Sequence, residues 1–287
     1  DMGINFALIL LMLTIGMSIG ANDSVISNLD RIGLNCIVIA LCSIFFSILF
    51  TYIVERTILP LEKIKDKLVS EKIVLNDIEM DKDNSGKILI WLIPISILVG
   101  VLLGYYLLPS KLTFFLEYFL LVSLVALYLS VGISIASNKR VFSYLKLLGF
   151  RVIYISIAII IGSVLGGFVA GKLLDIPLHT TILSSSGMCY YSLTGAFMTK
   201  MYGIEIGTYG FIVNVMREFL TVLFIPILIK ISAGSPIAAG GAGNMDTMLV
   251  PITKFVGIEL GLVTLVTGMI LTFAVPFLLP LLYGILH

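Results

Sequence analysis

Long apolar runs alternate with short polar stretches along most of the chain. A helix needs about 20 apolar residues to cross the roughly 30 Å hydrocarbon layer of a membrane, and seven runs are of that order of length. The pattern therefore predicts seven membrane-spanning helices. They cover residues 3–20, 34–55, 88–108, 115–136, 151–171, 205–230 and 258–284.

Two further segments, at about 179–200 and 235–254, are apolar but rich in glycine, serine and other small or polar residues. Irregular backbone is tolerated at membrane depth only where it is buried in protein or lines a wet cavity. We therefore expect these segments to be re-entrant hairpins or broken helices rather than ordinary spans.

An internal repeat links the two ends of the first half of the chain. Residues 16–33 (GMSIGANDSVISNLDRIG) match residues 132–149 (GISIASNKRVFSYLKLLG) at eight of eighteen positions without a gap. Three predicted spans separate the copies, so the copies point in opposite directions. Inverted repeats of this kind are typical of secondary transporters.

A second repeat lies in the other half of the chain. Residues 199–207 (TKMYGIEIG) match residues 253–261 (TKFVGIELG) at six of nine positions, and the similarity extends to Pro226 and Pro280. Each copy is a small-residue segment followed by a long helix. If the segment is a hairpin, the two copies are inverted in the membrane; if it is a broken helix, they are parallel. We favour the hairpin, because it makes both repeats inverted.

These repeats divide the chain into two parts. Residues 1–175 are predicted to be scaffold helices. Residues 176–287 are predicted to be a transport core of two hairpin-plus-helix units, 176–231 and 232–287.

The composition supports an all-α integral membrane protein. The chain is 59% hydrophobic and 12% charged, with a mean hydropathy of +1.13, whereas soluble domains carry about 25% charged residues. The net charge of +1 gives no reason to expect a nucleic-acid partner. The three cysteines lack metal-ligand spacing, so we expect neither a metal nor a cofactor.

The basic residues predict the orientation in the membrane. The loops 56–87 and 137–151 hold eleven lysines and arginines, and the alternate loops hold three. Because lysine and arginine accumulate in cytoplasmic loops, both basic loops and the N-terminus are predicted to be cytoplasmic. Seven spans then place the C-terminus outside.

Two aspartates are candidate functional acids. Asp246 is alone in an otherwise uncharged stretch, 231–253, and a charge inside a bilayer is costly unless it is paired or hydrated. The alternative is a capping residue just outside the hydrocarbon. Asp23 ends the first helix beside Asn22, and it is either functional or a loop residue at the membrane surface.

Other polar groups also fall at membrane depth. Asn214, Arg217 and Glu218 lie within a predicted span, where Arg217 and Glu218 diverge by about 100° on a helix. Either could pair with Asp23 or Asp246, and the alternative is a buried structural network. The irregular segments add the candidate substrate- or proton-binding residues Ser185, Ser186, Gly187, Tyr191, Ser192 and Asn244.

Four stretches together resemble the LysO family of lysine exporters: GMSIGAND, SSSGMCYYSLTG, NVMREFL and GNMDTMLVP. The resemblance implies export of L-lysine from the cell across the plasma membrane, which is the inner membrane of a bacterium, with use of the proton gradient. It also implies that the family's pair of functional intramembrane acids falls on Asp23 and Asp246. Family members usually begin with an additional helix, so we expect a companion chain or a homo-oligomer to supply it, or a shortened form.

Three functions are compared. The leading hypothesis is a proton-coupled or ion-coupled exporter of L-lysine, or of a close cationic analogue, that works by alternating access. One alternative is an intramembrane aspartyl protease using Asp23 and Asp246, although GAGNMD lacks the Gly-x-Gly-Asp spacing and no tyrosine precedes Asp23. The other is a passive amino-acid channel, which inverted repeats disfavour.

Overall fold

The computed structural model describes two continuous parts of the chain, 29–61 and 150–286, and shorter pieces of the rest. The described residues form helices and turns, and no β-strand occurs among them. The shorter pieces are residues 9–10, 13–14, 16–17, 19–21, 95–96, 98–106, 118–119, 122–123 and 125–126.

Eight α-helices lie in the two continuous parts. They are α1 (Leu29–Thr57), α2 (Ile153–Leu174), α3 (Leu178–Ser185), α4 (Tyr191–Tyr202), α5 (Ile204–Leu228), α6 (Gly234–Gly240), α7 (Leu249–Val256) and α8 (Ile258–Leu286). Within the described parts, four helices are long and apolar enough to cross a membrane. They are α1, α2, α5 and α8, and they correspond to four of the seven predicted spans.

The other predictions for the first half fall largely outside the described residues. The described positions within 9–20, 95–106 and 118–126 are helical, as predicted. Most of both basic loops, most of the first repeat, Asn22 and Asp23 lie outside the described part. The total of seven spans therefore stays a prediction.

Helices α1 and α2 pack closely through small residues. A Cβ added to Gly162 would lie 2.5 Å from the Cα of Ser47, and one added to Gly166 would lie 2.6 Å from the Cα of Ser43. Small residues are common at helix contacts in membranes, because apolar surface alone does not favour helix association there. Since the residue numbers rise along α2 as they fall along α1, the two helices are antiparallel.

The first small-residue segment forms a hairpin of α3 and α4. His179, in the first turn of α3, stacks on Tyr202 at the end of α4, with ring centroids 4.7 Å apart. Deeper in the hairpin, the Ser184 hydroxyl contacts the Met198 sulfur at 3.6 Å. The segment therefore turns back on itself and is not a broken helix.

The second small-residue segment also forms a hairpin, of α6 and α7, which opens at the opposite end of the bundle. At the start of α6 the backbone N–H of Gly234 donates to Oε2 of Glu55, near the end of α1, at 3.2 Å. Helix α8 begins at this Glu55 end, immediately after α7. It finishes beside the first hairpin, where the Tyr283 and Tyr202 rings are 5.4 Å apart.

The two copies of the nine-residue pattern have the same conformation. Each hairpin joins its long helix through one glycine with a positive φ, which is 89° at Gly203 and 100° at Gly257. The N–H of each glycine donates to the threonine four residues earlier, at 2.9 Å and 3.0 Å. Only glycine adopts such a φ without strain, which explains why both copies of the pattern have a glycine at this position.

Candidate functional site

The tips of the two hairpins are in direct contact. The backbone N–H of Ala242 donates a hydrogen bond to the carbonyl oxygen of Met188 at 2.7 Å. Gly241 allows this approach, because a Cβ on it would lie 2.6 Å from the same oxygen and its φ is 56°. The two irregular segments, 184–195 and 240–246, therefore meet at their tips, and the expectation that this contact lies near the bilayer midplane stays a prediction.

Asn214 on α5 holds the first tip, which is strained. Met188 and Cys189 both have positive φ values, 49° and 76°, which is costly for residues other than glycine. Oδ1 of Asn214 accepts a hydrogen bond from the backbone N–H of Cys189 at 2.8 Å. Its amide donates to the carbonyls of Ser184 and Gly210 at 2.8 and 2.7 Å. Since both of its donors are used, Asn214 positions the tip and has no free N–H for a ligand.

Replacing Asn214 with alanine should destabilise the protein by about 2 kcal/mol, because buried backbone groups lose their partners. The lower melting temperature should be measurable on purified protein in detergent. Asn35→Ala is the matched control, because Asn35 makes one half-buried bond, to the Tyr209 hydroxyl at 3.2 Å. Equal melting temperatures for the two variants would contradict the anchoring role of Asn214.

Arg217, one turn further along α5, holds the second hairpin. It is fully buried, and all five of its N–H groups have neutral acceptors. Two are the carbonyls of Ala239 and Ala238 in the last turn of α6, at 3.0 and 3.1 Å. The others are serine hydroxyls of α1 and α2: Ser43 at 2.8 Å, Ser163 at 2.8 Å and Ser47 at 3.2 Å.

This arrangement excludes one pairing that the sequence left open, between Arg217 and Asp246. Arg217 makes no ion pair with Asp246, because its donors are taken by hydroxyl and carbonyl oxygens. A guanidinium has five donors in a fixed fork, so these partners exhaust it. Arg217 is therefore a structural element of the site and has no free donor for a carboxylate.

Two acids and a tyrosine lie together beside the tips. Asp246, just after the second tip, is exposed, and Glu218 on α5 is half-buried and close enough to interact with it electrostatically. The Thr247 side chain is within hydrogen-bonding reach of both carboxyl groups. The Tyr191 hydroxyl, from the first residue of α4, lies in the field of both acids. The group can therefore accept cationic donors or protons.

The start of α4 contributes backbone donors to the same region. The first hydrogen bond of this helix runs from the N–H of Thr194 to the carbonyl of Tyr190, at 3.1 Å. The N–H groups of residues 191–193 precede it and have no partner within the helix. The N-terminal end of a helix also attracts negative charge, so this end suits a carboxylate.

The remaining candidates are buried within the hairpins. Ser185 and Ser186 both donate to the carbonyl of Ile182, at 3.0 and 2.7 Å, and Ser192 is buried in the first turn of α4. Gly187 packs against Asn214. Asn244 donates to the carbonyl of Ile237 at 2.7 Å, while its Oδ1 is buried without a partner in the described part of the chain.

The structure thus brings together some of the predicted residues and adds others. Tyr191, Glu218 and Asp246 share one location, whereas Asn214 and Arg217 act behind it as anchors. Thr247 was missed, although its place directly after Asp246 could have signalled it. The serines that hold Arg217 were also missed, although Ser43 and Ser47 are spaced i, i+4 in an apolar helix.

The fold and this site define a class of protein: a helical membrane protein in which two hairpins meet tip to tip beside ionisable groups. The sequence profile of the family described as lysine exporter LysO matches residues 94–283, which is more than half of the chain. The chain therefore belongs to the lysine exporter LysO family. This is a family of transporters and not of enzymes, so the protease alternative has no support.

Two relatives agree with the family. Lysine exporter LysO of Escherichia coli K12 is 29% identical over 157 residues, which is 55% of this chain and 52% of that protein. A Haemophilus influenzae protein, provisionally named a lysine exporter, is 29% identical over 119 residues, which is 42% of this chain and 61% of that protein. The chain thus matches about half to three-fifths of the length of these relatives. No solved structure matches it.

Proposed function

We propose that this protein exports L-lysine, or a close cationic analogue, in exchange for protons by alternating access. The observation that carries the proposal is the meeting of both hairpin tips beside Tyr191, Glu218 and Asp246. Family membership supports lysine as the substrate. The relative from E. coli is also named a lysine exporter.

The chemistry of the site fits the three charged groups of lysine. Lysine carries two ammonium groups and one carboxylate. Glu218 and Asp246 are acceptors for ammonium groups, and carboxylates bind these strongly when water is partly excluded. The first N–H groups of α4 and the Tyr191 hydroxyl are donors for the carboxylate. An acidic amino acid would meet repulsion from both acids, so the site favours a cation.

Exchange follows if protons and lysine compete for the same carboxylates. A carboxylate that binds a proton loses its charge and with it the attraction for an ammonium group. Each ion then leaves before the other binds, so the carrier crosses with lysine bound in one direction and with protons bound in the other. Asp23, which the family resemblance pairs with Asp246, would be a third acid in this cycle.

We also propose that units 176–231 and 232–287 are an inverted repeat about an axis through the tip contact. Met188 and Ala242, the two residues bonded across the tips, are equivalent positions, because 188 plus the repeat offset of 54 is 242. A contact between equivalent residues is expected on a two-fold axis. The opposite openings of the hairpins agree with such an axis, and transporters with inverted repeats place their sites there.

Counterflow of labelled lysine into proteoliposomes tests the function. Vesicles loaded with unlabelled lysine should accumulate label well above protein-free vesicles. Unlabelled lysine or ornithine outside should compete, whereas leucine and glutamate should not. If no cationic amino acid gives counterflow with correctly inserted protein, the proposed function is wrong.

The predicted orientation has a separate test. A single cysteine introduced near Asp77 should react with an impermeant maleimide only after the cells are opened, because the basic loop is expected to face the cytoplasm. A cysteine introduced beside His287 should react in intact cells. Labelling near Asp77 from outside intact cells would overturn the topology.

A further inference from the structure

Arg217 connects four helices, two of which, α1 and α2, lie far from it in the sequence. It lies on α5 and bonds α6 through two carbonyls, α1 through two serines and α2 through one serine. We propose that Arg217 is a positioning residue that locks the second hairpin to α1 and α2, so that these elements move as one body during transport. This inference rests on the proposed exchange function.

The geometry of the guanidinium makes the lock specific. Its fixed fork has donors on three nitrogens, and each nitrogen contacts a different set of acceptors. Nε bonds α6, Nη1 bonds both α1 and α2, and Nη2 bonds α1 and α6. A lysine ammonium has only three donors on one atom, so it cannot replace all of these bonds.

The burial of the charge makes the lock costly to open. Arg217 is fully buried, and no acid neutralises it among the residues that the structure describes. A buried charge is tolerated only with its hydrogen bonds satisfied, and carbonyls at the end of a helix add a favourable dipole. Withdrawing α6 from α1 would break several of these bonds at once. The second tip should therefore stay docked on α1 and α2 through the whole cycle.

The lock shifts the expected boundary between the moving and the stationary parts of the protein. The sequence predicted a boundary between scaffold and core at residue 175. The bonds from Arg217 to Ser43, Ser47 and Ser163 cross that boundary, so α1 and α2 would travel with the core. The surfaces that move against each other would then lie between this body and the described helical positions within 9–21 and 95–106.

A disulfide between α1 and α6 tests this lock. A Cβ on Gly234 would lie 3.2 Å from Cγ2 of Thr51. The sulfur of a cysteine at position 51 can take the place of this Cγ2, which brings it within reach of a cysteine at position 234. The pair Thr51→Cys with Gly234→Cys should therefore oxidise rapidly and completely. Each single substitution is the control for unrelated oxidation, since Cys36, Cys42 and Cys189 remain in place.

Transport by the oxidised pair should equal transport by the reduced pair, because α1 and α6 do not separate. Loss of lysine counterflow on oxidation, with recovery on reduction, would overturn the inference while leaving the proposed function intact. Absence of counterflow in the reduced pair and the parent protein would instead refute the proposed function. The rate of disulfide formation would then still report on the lock.

The variant Arg217→Gln tests whether Arg217 itself holds α1 and α6 together. The counterflow rate of this variant should be at least tenfold lower. When the cysteine pair at positions 51 and 234 is also present, its thiols should oxidise more slowly than in the parent protein. Oxidation should restore most of the lost rate, because the disulfide replaces the lock. Normal counterflow in Arg217→Gln, or no rescue by the disulfide, would overturn the proposal. If Arg217→Gln does not accumulate in membranes, Arg217→Lys is compared in the same way, with the same expected slowing and rescue.

Discussion

Replacing Asp246 with asparagine should abolish lysine exchange while leaving the protein folded in the membrane. Asparagine keeps the size and hydrogen bonding of the side chain but loses the charge and the titratable proton. A hydrogen bond to a charged group contributes about 1.5 to 3 kcal/mol, which is about tenfold or more in binding, and the loss of the titratable proton removes the coupling as well. Counterflow of labelled lysine measures the effect directly.

The alternative for Asp246, a capping residue, predicts a different outcome. Asparagine is among the better helix caps, so a cap would tolerate the change with little loss of stability or transport. Asp175→Asn is the matched control, since Asp175 is an exposed aspartate at the end of α2, away from the tips. Asp23→Asn should behave like Asp246→Asn if the family resemblance holds. Normal exchange by a well-expressed Asp246→Asn protein would refute the role given to this acid.

Replacing Gly268 with alanine should displace the second tip and remove most of the exchange activity. A Cβ at this position of α8 would lie 2.6 Å from the carbonyl carbon of Asn244 and even closer to the backbone nitrogen of Met245. Backbone atoms of a tight turn cannot yield as a flexible side chain can. We expect a loss of stability of about 3 kcal/mol or more, at the upper end of overpacking effects, because the added Cβ would overlap a rigid peptide bond.

Gly284→Ala provides the control on the same helix. No atom lies within 4 Å of a Cβ added there, so this change should leave stability equal or slightly higher through helix propensity. Melting temperature in detergent and counterflow should both separate the two variants. Equal behaviour would mean that the contact between α8 and the second tip does not matter for the site.

The long helices and the joints were predictable from the sequence, because local rules determine them. Length and apolarity predicted α1, α2, α5 and α8 to within a few residues at most ends. The start of α1 was predicted five residues late. The helix begins before the apolar run, with a first turn that carries the charged residues Asp30 and Arg31. The shared glycines, Gly203 and Gly257, predicted one joint used twice, because a positive φ selects glycine.

The contacts of the polar residues could not be read in the same way. Whether Arg217 met an acid or neutral oxygens depended on the packing of α1, α2 and α6 around it. Its partners on these helices lie between 21 and 174 residues away along the chain. The grouping of Glu218 with Asp246 likewise depends on how the second tip lies against α5. Sequence spacing shows that Arg217 and Glu218 diverge on their helix, but only tertiary packing decides which of them faces the tips.

The most direct test of the central claim is release of labelled lysine from loaded proteoliposomes, with the internal pH recorded at the same time. An acidic outside medium should accelerate release of lysine, and protons should enter in proportion to the lysine that leaves. The same vesicles at equal pH should release lysine slowly, and those with Asp246→Asn should behave like protein-free vesicles. Lysine release that ignores the pH gradient, without proton entry, would contradict exchange at this site.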